Sequence, residues 1–214
     1  MTKKAIYCTL YLFILTIFFS PPLAAFENGE VLLTGYGTYL HPQTSTLLSF
    51  DTIPDSAVKI EDTGAGMATL RVIFLTCLGL EASAGIAHLE IKGEKSLYGV
   101  NIGHTWYAPT TLMLQYYFNP CAKCTFHIGS GVNYSIFYDQ KCKIDGTKLN
   151  VSNYCSYATQ AGMDYIMPGG EWFFSIDAKY LRVQNKATLS GDTSGRIYMN
   201  MNPWLLSAGF GRRF

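Results

Sequence analysis

The sequence predicts an all-β fold: an eight-stranded antiparallel transmembrane β-barrel with short periplasmic turns and long extracellular loops. Three observations predict it. An export signal opens the chain. No later segment is apolar for the 18 or so residues that a membrane-crossing helix needs. What remains alternates apolar with polar or small residues in runs of about ten, separated by turn residues, which is how barrel strands read.

The signal is built from Lys3 and Lys4, an apolar run over 5–19, and the small-residue stretch 20–25 (SPPLAA) before polar sequence starts at Glu27. Residues 1–25 are therefore expected to be a signal peptide, cut after Ala24 or Ala25, with residues 26–214 as the barrel domain. An uncleaved anchor is the rival reading, but about 15 apolar residues fall short of the roughly 20 that span a bilayer. A membrane protein without spanning helices closes a barrel, because only helices and closed sheets satisfy every backbone group in hydrocarbon. The expected place is the bacterial outer membrane, as a multi-pass barrel among its lipids.

Composition agrees. Of 214 residues 49% are hydrophobic, 14% aromatic and 14% charged, against about 25% charged in ordinary soluble domains. The net charge of +1 and the absence of a basic run argue against a nucleic-acid partner.

The expected strands follow in order. Residues 31–41 (VLLTGYGTYLH) form strand one, and a polar stretch with Pro42 and Pro54 forms the first outer loop. Strands two and three are 65–75 and 78–89, joined by a tight turn at Thr76-Cys77. Residues 92–104 are the second loop, 110–118 strand four, 119–123 a short turn and 125–138 strand five. Residues 139–153 are the third loop, 157–167 strand six, 168–170 a turn, 172–183 strand seven, 184–195 the fourth loop and 196–214 strand eight. The even count puts both chain ends on the periplasmic side.

The period of two is clearest late in the chain. Trp204, Leu206, Ala208, Phe210 and Phe214 share one face of strand eight. Phe174, Ile176, Ala178 and Tyr180 alternate with Ser175, Asp177 and Lys179 in strand seven. One face is apolar and the other polar or small. A soluble β-sandwich would alternate in the same way. The export signal, the aromatics near strand ends (Trp106, Tyr116, Phe118, Tyr138, Trp172, Trp204) and the aromatic terminus at Phe214 favour the membrane.

These segments resemble the OmpW (outer membrane protein W) family of small barrels. The resemblance is carried by residues 108–118 (APTTLMLQYYF), 129–137 (GSGVNYSIF), 161–165 (AGMDY), 172–180, 202–214 (NPWLLSAGFGRRF) and 78–82 (LGLEA), in that family's order. Asn202 stands where the family has Asp before Pro-Trp. The resemblance implies an eight-stranded barrel and passage of small hydrophobic molecules through an apolar pocket that opens sideways into the lipid. The C-terminal strand ending at Phe214 is the expected contact of the barrel-assembly machinery.

Inward faces predict a lumen network of Arg71, Glu81, Gln115, Asn133, Gln160, Asp164, Asp177 and Lys179, with both charge signs present. Buried charges of this kind persist when paired. Apolar candidates for a pocket in the outer half are Met67, Leu89, Met113, Tyr117, Leu181, Met199 and Met201, with simple core packing as the competing reading.

Of the six Cys, Cys142 and Cys155 flank the third loop, and a bridge between them would contribute roughly 3 kcal/mol. Cys121 and Cys124 form a C-x-x-C between two strands, which fits a local bridge or free thiols better than redox chemistry. No metal site is expected. The four His are scattered, no serine elbow is present, and no catalytic constellation forms. The reading is a non-enzymatic barrel without a cofactor, passively transporting small hydrophobic solutes. The alternative is a structural or surface-interaction barrel that meets a host, phage or toxin through its loops.

Overall fold

A computed structural model of the chain describes residues 28–43, 45–50, 56–95, 101–118, 123–143, 147–191 and 195–214. The expected signal segment, its cleavage near Ala25, and Cys121 lie outside the described residues.

In chain order the strands are β1 (Val31–His41), β2 (Ser45–Phe50), β3 (Ser56–Ile60), β4 (Thr63–Leu75), β5 (Leu78–Lys95), β6 (Asn101–Phe118), β7 (Cys124–Cys142), β8 (Thr147–Val151), β9 (Tyr154–Ile166), β10 (Trp172–Leu181), β11 (Gln184–Gly191), β12 (Gly195–Asn200) and β13 (Trp204–Arg213). Eight of them close a ring. β4 pairs with both β1 and β5, and the order continues through β6, β7, β9, β10 and β13 back to β1, antiparallel throughout. Closure matters because an open edge in hydrocarbon would leave a row of unpaired amides.

Alternation carries the wall. Along β13 every second residue from Trp204 is exposed and the intervening Leu205, Ser207, Gly209 and Gly211 are buried. Leu33, Leu70, Leu80, Leu112, Leu114, Ile128, Val132 and Phe210 face outward, the last 59% exposed. So much exposed apolar surface suits lipid and would aggregate in water.

The periplasmic end is tied shut. Val31 and Phe214 exchange backbone hydrogen bonds, and Arg213 pairs with Glu30. Gly169 (φ +103°) and Gly170 (φ +80°) make the turn between β9 and β10, a backbone form that favours glycine. Arg212, on the lipid face, pairs with Glu171 at 3.4 Å and lies over the rings of Trp172 and Phe214.

The outer end differs from the expectation. The polar stretches expected as loops carry ladders: β3 pairs with the top of β5, β2 with β3, β12 with β2, β11 with β12 and β8 with β11. β5, β6 and β7 run past the expected ends into the same tier. Backbone amides above the membrane can pair without an apolar face, so such strands lack the alternation that marks the wall. Strand eight splits into β12 and β13 at Asn202 (φ +33°) and Pro203, where the Asn202 carboxamide accepts the Val183 N–H at 3.1 Å in place of a ladder bond. A similar stitch joins β7 to β8, where Gln140 donates to Val151 O at 2.8 Å and accepts from Val151 N.

Candidate functional site

The lumen is stacked in three levels, each set by which inward residue the period of two delivers at that height. At the periplasmic end Leu32, Ile73, Tyr117, Ile166 and Phe173 form a small apolar seal.

Above it lies a plug of ions contributed by several strands. Arg71 on β4 is fully buried and meets Asp164 on β9 in a two-pronged pair, 2.6 and 3.1 Å. The same guanidinium lies over the Phe173 ring at 5.2 Å. Lys179 on β10 pairs with Glu81 on β5 at 2.5 Å, and the other Glu81 oxygen accepts from Gln115 (2.6 Å) and Gln160 (3.3 Å). Tyr117 donates to Gln115 at 2.5 Å. Ser83 meets Thr111 at 2.6 Å, Tyr36 meets Ser175 at 2.8 Å, and Thr38 meets Ser207 at 2.9 Å. These groups are buried in a narrow lumen and hold one another. An eight-stranded barrel is just wide enough to be filled this way.

The outer half is apolar. Tyr36, Leu40, Ile60, Met67, Ala87, Leu89, Ile91, Ile102, Tyr107, Met113, Phe137, Val151, Ala158, Leu181, Val183, Met201 and Leu205 form one buried cluster. Tyr107 stacks on Phe137 with centroids 5.0 Å apart and reaches Ser135 with its hydroxyl.

The wall beside this cluster has a discontinuity. The β5–β6 ladder skips from Ala84↔Thr110 to Ala87↔Tyr107 with no change of register, while Pro109 stays paired with Ser135 of β7 on its other side. Proline has no N–H to give a ladder. Gly85, opposite Pro109, presents no side chain, and a Cβ there would come within 2.6 Å of Met67 Cγ and 3.4 Å of Pro109 Cγ. Met67, Gly85 and Pro109 thus meet where the wall lacks two ladder pairs and its lumen is apolar.

Of the residues singled out in the sequence, Met67, Leu89, Met113, Leu181 and Met201 lie in the outer apolar cluster. Tyr117 lies in the periplasmic seal instead, below the plug. The side chain of Met199 lies outside the described residues, though its backbone pairs with Asn185 and Thr46. Arg71, Glu81, Gln115, Asp164, Asp177 and Lys179 all sit buried in the plug level. Asn133 lies higher and bonds to Ser135 at 2.8 Å.

The expected Cys142–Cys155 bridge does not form, and both thiols are free. The register explains it. Cys155 pairs beside Tyr134, while Cys142 pairs beside Gly103 at the top of the same strand. Eight residues of strand span on the order of 26 Å at about 3.3 Å each, against about 4.4–6.8 Å between the Cα atoms of a disulfide. Cys124 and Cys77 are free as well.

Two features escaped the sequence reading. Strand four was expected to begin after Pro109, yet β6 runs straight through it. A proline inside a run of strand-forming residues was the available signal, since such a proline marks an edge or a gap. His127 read as one of four scattered histidines, but it reaches the plug, where it faces Asp164 and Asp177.

The OmpW family model matches residues 27–214. An uncharacterised outer-membrane protein, y4mB of Sinorhizobium fredii, is 30% identical over 91% of this chain and 87% of that protein. Outer membrane protein W of Vibrio cholerae is 28% identical over 91% of this chain and 93% of that protein. The crystal structure of the outer membrane protein OprG from Pseudomonas aeruginosa superposes with a TM-score of 0.82 at 21% identity, covering 90% of this chain and 99% of that one, which speaks for the fold alone. An outer-membrane barrel with this ladder and this length of match has one assignment: the chain belongs to the OmpW family.

Proposed function

We propose that this outer-membrane barrel passes small hydrophobic molecules from outside into the outer membrane, by way of the apolar outer lumen and the ladder gap at Pro109. One observation carries the reading. The apolar cluster ends below on a buried ionic plug, and beside it the wall lacks ladder pairs at Gly85–Ile86 and Ala108–Pro109. An apolar solute gains about 25 cal/mol for each Å² taken out of water. It can gain this among Met67, Leu89 and Met113, and it cannot displace the ion pairs below without unpairing buried charges. Sideways exit into lipid costs it no apolar contact. On this reading the barrel is a passive, non-enzymatic conduit, and Leu181, Met201 and Tyr107 line its lumen.

The test is uptake of a small apolar fluorophore by liposomes carrying the protein. Uptake is expected to exceed that of empty liposomes several-fold. Pro109→Ala restores an N–H that lets the ladder close, so uptake is expected to fall toward the empty-liposome rate. Stability should change by no more than about 1 kcal/mol, one ladder bond weighed against the lost rigidity of proline. Uptake equal to that of empty liposomes would sink the reading. Uptake by the wild type with no loss in Pro109→Ala would remove the gap from it. The surface-interaction reading would then be left to the outer tier of β2, β3, β8, β11 and β12, with binding lost on exchange of those segments and no effect on uptake.

A further inference from the structure

The solute path leaves one buried ionisable group without a role. His127 on β7 is 1% exposed, with Nδ1 3.5 Å from Asp164 Oδ2 and Nε2 3.5 Å from Asp177 Oδ2. A neutral imidazole carries one donor and one acceptor, and an ionised carboxylate only accepts. With carboxylates at both nitrogens, the neutral ring would aim a lone pair at one of them. Nδ1 makes no hydrogen bond, so its approach to Asp164 is electrostatic, and only the imidazolium turns an N–H toward both carboxylates.

Charge counting leads to the same state. The plug has two permanent cations, Arg71 and Lys179, against three carboxylates, Glu81, Asp164 and Asp177. Arg71 pairs with Asp164 and Lys179 with Glu81. That leaves Asp177, 3% exposed, facing His127 with one oxygen while its Oδ1 has no hydrogen-bond partner. The ring is held in this place from several sides. β9 supplies Asp164 and Gly162, where a Cβ would come 2.6 Å from His127 Nε2. β10 supplies Asp177, and β6 supplies the Tyr117 ring at 5.6 Å. Arg71 on β4 stands behind Asp164, and the Glu81–Lys179 pair of β5 and β10 completes the ionic level.

We propose that His127 is a proton-operated latch on the plug. As the imidazolium it neutralises Asp177 and keeps the middle of the barrel dry. Loss of its proton leaves Asp177 a buried carboxylate without a counter-charge, which draws water and small inorganic cations into the lumen. The latch controls ion leak along the barrel axis and does not depend on the sideways passage of apolar solutes, which is read by a different assay.

The test is single-channel conductance of the full-length mature protein in planar bilayers in potassium chloride, from pH 5 to pH 9. Wild-type conductance is expected to be low in acid and to rise several-fold toward alkaline pH, with selectivity for potassium over chloride. His127→Gln should conduct at the alkaline level across the range, and His127→Gln/Asp177→Asn should stay closed across it. Retained folding is checked for each variant by its circular dichroism strand signal. Should His127→Gln not fold, His127→Lys places a permanent cation there and should stay closed at every pH. A wild-type conductance that does not change with pH overturns the latch. So does a pH step that survives in His127→Gln or His127→Lys, or a double variant that conducts like the single one.

Discussion

The outer and middle levels of the lumen are delivered by the same strands and the same alternation, yet they solve opposite problems. In the middle, Arg71, Asp164, Lys179 and Glu81 are desolvated, and each depends on a partner from another strand. In the outer half, Met67, Leu89 and Met113 need no particular partner, and the wall beside them gives up ladder bonds at Pro109. A region that must exclude water and ions is specified pair by pair. On the proposed reading the outer half admits varied apolar solutes, so its apolar side chains need no fixed pairing, and flexible methionines suit it because they repack.

The comparison can be broken first at the plug. Arg71→Met removes the counter-charge of Asp164, and stranding a buried carboxylate costs about 3–5 kcal/mol. Urea unfolding in lipid bilayers, followed by fluorescence of the three Trp, reads that loss. A cost below 1 kcal/mol would mean that the plug is wetter than its burial indicates. In the outer half, Met113→Ala should cost about 2–4 kcal/mol as a cavity substitution. It should leave uptake of the apolar fluorophore intact or faster, because the pocket grows without gaining a charge. Loss of uptake there would show that the outer half is specified side chain by side chain after all.

The smallest effect is expected at the outer rim. Tyr39 donates its hydroxyl to Asp62, and His41 Nδ1 lies 2.8 Å from the other oxygen. The Tyr39 hydrogen bond, more than the histidine, holds the Asp62 carboxyl below the usual carboxylate range. A carboxyl lowered in the folded state stabilises it above the ordinary range, and that contribution is lost as pH falls through the lowered value. Asp62 is 38% exposed, so Asp62→Asn should cost only about 0.5 kcal/mol or less at pH 7. The gap from wild type in thermal midpoint should close on acidification. A gap that widens in acid would contradict the assignment.

The levels also differ in how legible they were. The inward positions of the plug could be read because alternation fixes the face of each residue, and polar types on an inward face stand out. Their pairings could not. Arg71 is the ladder neighbour of Glu81, the obvious partner in sequence terms, but its guanidinium crosses the lumen to Asp164. Tyr117 shares its face with Met113, yet four residues of rise carry it below the plug. The Cys142–Cys155 expectation failed for a related reason, since closeness to the same loop says nothing about height along β7.

By itself the sequence determined the wall. The period of two, the aromatics at strand ends and the short turns at 76–77 and 168–170 suffice for eight crossing strands, because hydrocarbon leaves no other way to satisfy the backbone. Only the tertiary structure decided what happens across the lumen. The registers of β7 on β9 and of β9 on β10, which both bring a residue opposite Gly162, put His127 between Asp164 and Asp177. The register of β5 on β6 sets the missing pairs at Pro109 beside an apolar cluster and not beside the plug. Alternation is a local property of a strand, whereas height and distance across a closed barrel depend on the register of every ladder in the ring.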